Sequence, residues 1–324
     1  MINRTAHTLR LWGGLLLLLN LIAVAANVCF GSVAIPTGQL LEPQWHYIVF
    51  ESRLPAALTA MLTGAALGTC GLLLQSWFRN PLAGPSILGI TNGANLMVAL
   101  VTLGQVPWGL SQGVTVLAAI VGSSAILALL LLLSRWTRQQ VTLLIVGILL
   151  SYLTSALITL LHYFATASGI QQLMLWGMGD FSSVGMPGLL PYALLVGLGL
   201  AASLWLIKPL NGWMQGEQYA VNLGVNVRCT RLLLLSVTGL LCAVTTAWCG
   251  PIAFVGLAMP HAARLLLSTD DHRKLLPASM LLGALCCSLC LWLSTLPDGG
   301  TLLPINALTS LFGIPVILYV LLKK

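Results

Sequence analysis

Charge is what this sequence has least of. Its 324 residues hold 14 Lys and Arg and 7 Asp and Glu, so 6% are charged, against about 25% in ordinary soluble domains. So few ionised groups cannot clothe a water-exposed surface, which excludes soluble enzymes and soluble binding modules as classes. The net charge of +7 would point to nucleic acid in a soluble chain. Here the basic residues lie singly or in short groups at the ends of apolar runs, and that reading is excluded too. No G-x-x-x-x-G-K-[ST] phosphate loop and no H-E-x-x-H pair occur, and no serine or cysteine stands in a recognisable nucleophile motif. Carboxylates are missing from the middle of every apolar run: Glu42, Glu51, Asp180 and Asp298 fall in loops on one side, Glu217, Asp270 and Asp271 on the other. Ion-coupled carriers generally need such a group to hold the coupling ion. Its absence counts against an ion-coupled secondary transporter, the first alternative, and the missing motifs count against an intramembrane enzyme, the second.

What the chain has instead is hydrophobic residues, 58% of the total, in continuous runs long enough to cross a bilayer as helices. Ten are read: Leu11–Phe30, Leu54–Trp77, Ile87–Leu103, Val114–Leu133, Val141–Phe164, Leu189–Ile207, Leu232–Trp248, Ile252–Leu267, Leu275–Leu293 and Leu303–Leu322. They are too long and too continuous for barrel strands of about 10 alternating residues. The expectation is an all-α integral membrane protein of about ten transmembrane helices, forming one domain over residues 1–324. With ten spans both termini share a side. If that side is the cytoplasm, Arg4, Arg10, Arg79, Arg135, Arg138, Lys208, Arg228, Arg231, Arg264, Arg273, Lys274, Lys323 and Lys324 all face it, and Arg53 alone does not. This satisfies the positive-inside rule. Ala23-Val24-Ala25 resembles a signal-peptide cleavage site, but the apolar run continues to Phe30, so the first span is read as retained.

Within the spans, most features read as packing. Cys287-Ser-Leu-Cys290 is formally a C-x-x-C, yet in a lipid-embedded helix nothing supplies further ligands or a depressed thiol pKa. Gly64, Gly68 and Gly71 put small residues on one face of the second span, which lets helices approach closely. The fifth span places Ser151, Ser155, Thr159 and His162 along one stripe, widened by Thr154. Either these hydroxyls bond their own helix carbonyls, or they wall a hydrophilic passage.

Two inner loops stand out. Lys208–Arg228 is the longest; its Gln215–Leu223 portion suits a short surface helix stopped by Gly224. The other lies in "AMPHAARLLLSTDDHRK", Ala258–Lys274, dense in ionisable groups. Asp270, Asp271 and His272 are adjacent and cannot easily converge on one metal ion; the stretch reads as a joint, with Asp270 capping the next helix. "RNPLAGPSILG" (Arg79–Gly89) and "HRKLLPASMLLG" (His272–Gly283) echo each other weakly, as expected if spans two to five and seven to ten are parallel repeats.

Four segments carry a resemblance along nearly the whole chain: Arg53–Ala94, Gly216–Val225 ("GEQYAVNLGV"), Gly250–Ala284 ("GPIAFVGLAMPHAARLLLSTDDHRKLLPASMLLGA") and Leu303–Lys324. They resemble the FecCD/BtuC-like permease subunits of bacterial ABC importers for iron–siderophores, haem and cobalamin. The resemblance implies a permease bundle in the bacterial inner membrane. It would pair with a second copy or a homologous permease, with two cytoplasmic ATPases that bind ATP and magnesium, and with a periplasmic or lipoprotein substrate-binding protein. No cofactor is expected in this chain. By resemblance, Gly216, Glu217, Ala220, Leu223 and Gly224 seat the ATPase, Arg53 docks the binding protein, Gln140 and Thr142 lie at the cytoplasmic gate, and Ser151, Ser155 and Thr159 line the pathway. Family members often carry more outer arginines; Ala56 stands where a second is frequent, and Cys290–Thr295 ("CLWLST") and Leu302-Leu303-Pro304 replace charged family motifs.

Overall fold

The computed structural model describes residues 2–33, 35–39, 42–104, 112–136, 140–297 and 302–322. Among the described residues there are thirteen α-helices and no strand: α1 (Ile2–Cys29), α2 (Leu54–Phe78), α3 (Ile90–Leu103), α4 (Gln112–Trp136), α5 (Gln140–Phe164), α6 (Ala167–Gly177), α7 (Gly185–Leu204), α8 (Ile207–Met214), α9 (Glu217–Asn222), α10 (Val227–Cys249), α11 (Val255–Leu267), α12 (His272–Ser294) and α13 (Ile305–Leu322). Each of the ten apolar runs falls in a helix of its own. Arg138, Asp298, Lys323 and Lys324 lie outside the described residues, as do the side chains of Arg4, Arg10 and Gln140.

Among the described residues, seven helices are long and apolar enough to cross a membrane: α1, α2, α4, α5, α7, α10 and α12. The other three apolar runs form α3, α11 and α13, of 14, 13 and 18 residues; α3 and α11 are the short ones. At 14 residues α3 reaches about 21 Å, less than the roughly 30 Å hydrocarbon core. The backbone explains where they begin. Before α3 a 3-10 turn, Pro85–Leu88, ends at Gly89 with φ +75°. Before α11 the chain passes through Gly250 at φ +72° and Phe254 at φ +64°, a conformation costly for a side chain with a Cβ.

Helix α2 is the axis of the bundle. It packs against α12, α11, α10 and α7, and most of its side chains are buried. The glycine stripe explains how. A Cβ on Gly64 would lie 2.0 Å from the Gly283 carbonyl oxygen, one on Gly68 2.3 Å from Ser279 O, and one on Gly71 1.5 Å from Gly256 O. The backbones of α2, α12 and α11 therefore touch with no room for even a methyl group, and dispersion replaces the absent hydrophobic drive between helices in lipid.

Helix α1 lies at the edge of the bundle against α12. Its inner face is Leu16, Asn20, Ala23 and Asn27, at the helical spacing that makes one stripe. The Asn20 amide donates to Leu281 O at 3.1 Å and the Asn27 amide to Ser288 O at 2.9 Å. Two side-chain hydrogen bonds at the same offset fix α1 parallel to α12 and in register.

Candidate functional site

The long inner loop forms two short helices, α8 and α9, at one end of the bundle. They turn at Gly216, whose φ of +132° only glycine adopts readily. Ala220 is fully buried and sits against Gly212 of α8. Gly224, at φ +80°, ends the motif, with the Val225 N–H returning to Ala220 O at 3.0 Å. The rest of α9 faces outward: Glu217 is exposed, and Tyr219, Val221 and Leu223 are 51%, 54% and 61% exposed. An apolar tip beside a carboxylate, on a polar loop, is the signature of a protein contact rather than of a lipid-facing surface.

This pair is clamped to the bundle by groups far apart in sequence. Trp213 of α8 stacks on Trp77 of α2, ring centroids 4.5 Å apart, and its indole N–H donates to Trp77 O at 3.0 Å. The Arg79 guanidinium lies 5.3 Å above the Trp213 ring, a cation–π arrangement, and donates to Trp213 O. On the other side Asn211 meets the start of α12. Its amide NH2 donates to Asp271 Oδ1 at 2.7 Å, and its oxygen accepts the His272 backbone N–H at 2.9 Å and lies 2.7 Å from His272 Nδ1. Because that oxygen only accepts, Nδ1 carries a proton. In the neutral ring, Nε2 then accepts from the Ser76 hydroxyl, 2.6 Å away. His272 is thus a buried bridge between α2, α8 and α12.

The charged stretch Ala258–Lys274 is spent on these internal ties. His261 Nε2 lies 2.7 Å from Pro81 O. Arg264 donates to Gln75 Oε1 at 2.6 Å and approaches Asp270 at 3.9 Å, while Gln75 donates to Leu257 O. The helix cap is Asp271, not Asp270: its carboxylate accepts the Arg273 N–H at 3.0 Å, whereas Asp270 stays exposed. Desolvation opposes the Asp271 carboxylate, but that N–H, the Asn211 amide and the Arg273 and Lys274 charges prevail and hold its carboxyl below the usual range. Among the described residues no group of His, Cys, Asp or Glu is placed to hold a metal ion. Cys287 and Cys290 are buried free thiols.

At the opposite end Arg53 closes the turn entering α2. It is only 9% exposed. One guanidinium nitrogen donates to Val28 O at 3.1 Å and Cys29 O at 3.0 Å, and the other to Val33 O. Cations at a helix C-terminus satisfy its orphan carbonyls, so in this structure Arg53 caps α1 instead of presenting its charge outward.

The stripe on α5 divides. Ser151 bonds Gly147 O at 2.9 Å and faces Gly89 at the end of the Pro85–Leu88 turn, and Thr154 bonds Leu150 O and is buried. Ser155 and Thr159 are exposed, with Thr159 bonded to Ser155 O at 3.0 Å, and Tyr152 beside them is 70% exposed. Thr142 lies in the first turn of α5, half-buried. Of the segment read as a gate, Gln139 and the side chain of Gln140 lie outside the described residues. The structure also shows a cavity the sequence did not announce. About 400 Å³ in volume, it lies where α3 and α11 begin, with a mainly apolar lining that includes Leu67, Leu257 and Phe254 and is interrupted by Thr91, Asn92, Asn95, Thr246 and Asn306. Asn306 pins its wall: its amide donates to Gly177 O and Pro251 O and its oxygen accepts the Ala253 N–H.

A bundle with short helices opening onto a cavity, and a clamped helix pair at one end, has relatives among known proteins. The FecCD transport family matches residues 16–323. The chain belongs to the FecCD transport family. This FecCD chain is 36% identical over 320 residues to the vitamin B12 import system permease protein BtuC of Citrobacter koseri, covering 97% of this chain and 94% of that one. It is 37% identical over 322 residues to the BtuC of Klebsiella pneumoniae subsp. pneumoniae, covering 97% and 94%. Among solved structures it is similar to the inward-facing conformation of a transporter assigned to the metal-chelate ABC type. There the TM-score is 0.86 at 32% identity, over 97% of this chain and 99% of that one. The FecCD chain is therefore a multi-pass inner-membrane protein, an ABC importer permease by family.

Proposed function

We propose that residues 1–324 form the permease domain of an ATP-driven importer that carries a corrinoid across the bacterial inner membrane. The observation that carries the coupling half of this reading is α9: an apolar, acid-flanked tip, exposed to water and rigidly tied through Trp213 and Asn211 to α2 and α12. Such a lever transmits the motion of a nucleotide-binding partner to the bundle, with Gly216, Glu217, Ala220, Leu223 and Gly224 at the contact. ATP and magnesium belong to two cytoplasmic ATPase subunits, because the chain has no phosphate loop of its own. The positive-inside rule puts the α8–α9 end and both termini in the cytoplasm.

Transport then needs a second permease, a copy or a homologue, whose α5 faces this one across the pathway; the exposed Ser155 and Thr159 give that surface its hydroxyls. A periplasmic or lipoprotein substrate-binding protein delivers the cargo at the Arg53 end, and Arg53 shapes that surface by holding the end of α1. The BtuC relatives favour a corrinoid as cargo. The solved relative favours the wider class of metal chelates, with ferric siderophore or haem as the second reading. Uptake of labelled cobalamin by cells with this importer as their only corrinoid route tests the choice. Uptake is expected to persist under excess ferric siderophore or haem and to be competed away by unlabelled corrinoid. Competition by a siderophore or haem would transfer the assignment to that chelate.

A further inference from the structure

We propose that the groove between the Trp12–Leu16 stretch of α1 and the first turns of α12 binds an anionic phospholipid, its phosphate on Arg273 and Lys274. The register of the two helices places the parts. The Asn20–Leu281 and Asn27–Ser288 bonds both join residues 261 apart, and the same offset sets Trp12 level with Arg273 and Gly13 level with Lys274. The groove there is about 190 Å³ and is lined by Trp12, Gly13 and Leu16 from α1, by Leu267, and by Arg273, Lys274, Pro277, Ala278 and Leu281 from α12. Basic groups stand at its mouth and apolar side chains run along its floor.

Three observations favour a lipid over other occupants. Trp12 lies at the start of the apolar run that begins at Leu11, and Arg273 and Lys274 stand in the first turn of the apolar span of α12. An indole at that level is the usual marker of the interface between headgroups and hydrocarbon. The rest of α1 beyond the groove is a lipid-type surface, with Leu15, Leu17, Leu18, Leu21 and Ile22 exposed. Finally, neither the Arg273 guanidinium nor the Lys274 ammonium forms an ion pair among the described residues. The nearby Asp271 carboxylate is already engaged by Asn211 and the Arg273 N–H. Two cations with no ion pair among the described residues, above an apolar cleft, match a phosphate carrying acyl chains, a pattern that anionic lipids select. Gly13 leaves the cleft open: a Cβ there would meet nothing within 4 Å.

A lipid in this position would brace the start of α12, next to the His272 bridge that holds α8. The test is native mass spectrometry of the full-length protein in its assembly, titrated with phosphatidylglycerol or phosphatidylcholine. Phosphatidylglycerol is expected to be retained preferentially. The double variant Arg273→Gln/Lys274→Gln should weaken its retention about 30-fold, from about 1 kcal/mol per basic residue near the headgroups. Gly13→Phe, which fills the cleft with both charges intact, should lower retention as well, and inorganic phosphate should not compete. Equal retention of the two lipids, retention unchanged in either variant, or displacement by inorganic phosphate would overturn the proposal. So would loss of a bound ATPase from the double variant with lipid retention unchanged, since the basic pair would then be a protein contact.

Discussion

Gly71→Val is expected to prevent the bundle from assembling in its native packing. The first side-chain atom alone would fall 1.5 Å from the Gly256 carbonyl oxygen and 2.5 Å from its carbon. Those are backbone atoms, and no rotamer change relieves them. The contact is tight from both sides: a Cβ on Gly256 would in turn lie 2.9 Å from Leu67 O of α2 and 2.8 Å from Pro85. Overpacking costs about 1–3 kcal/mol in cores that can adjust; here two helix backbones must part, and the upper end of that range or more is expected. Thermal melting in mild detergent, with size-exclusion yield, should show a large drop in Tm or loss of the monodisperse peak. Gly197→Ala is the control: a Cβ at Gly197 meets nothing within 4 Å, and alanine favours a helix over glycine by about 1 kcal/mol. A Gly71→Val protein that melts like the Gly197→Ala control would refute the close packing of α2 on α11.

The second large effect is on coupling. Leu223→Asp puts a charge on the exposed apolar tip of α9 and leaves the buried Ala220 and the Trp213–Trp77 stack untouched. If the tip is the ATPase seat, loss of one apolar anchor and burial of an unpaired carboxylate should weaken association by about 30-fold or more, the scale of an interface hot spot. Tm should stay near that of the unaltered protein, because Leu223 is 61% exposed. Co-purification of the ATPase and ATP-driven uptake are the two readouts. Full coupling in a folded Leu223→Asp protein would remove α9 from the contact.

These two predictions stand on features of different legibility. The glycine stripe of α2 was readable because helical spacing alone brings Gly64, Gly68 and Gly71 to one face. The ten apolar runs were readable from length and hydropathy. That α3 and α11 are shorter than a span was not, since hydropathy does not register the φ of Gly89 or Phe254 that sets where these helices start. The echo between Arg79–Gly89 and His272–Gly283 joins unlike backbones, a loop with a 3-10 turn in one case and continuous helix in the other. Local chemistry favoured a capping aspartate before α12 but could not choose between neighbours; the Asn211 contact selects Asp271.

The clamp itself lay beyond local reading. Asn211 and His272 are 61 residues apart, Trp77 and Trp213 136 apart, and no periodicity announces either pair. Arg53 shows the same limit: its sequence context says that an arginine stands at the end of a span. Only the fold shows that the carbonyls ending α1 come to meet it. The hydroxyl stripe on α5 was half legible, because spacing places its members on one side of the helix but cannot say that Ser151 meets Gly89 and Thr154 is buried while Ser155 and Thr159 stay outside.

The central claim is that this chain moves its cargo through ATP hydrolysis by a partner seated on α9. Reconstitution in liposomes with its ATPase and binding protein measures this directly. Cargo should accumulate only with ATP and the ATPase present, and Leu223→Asp should abolish it. Accumulation driven by a proton or sodium gradient, with no ATPase in the vesicles, would contradict the account.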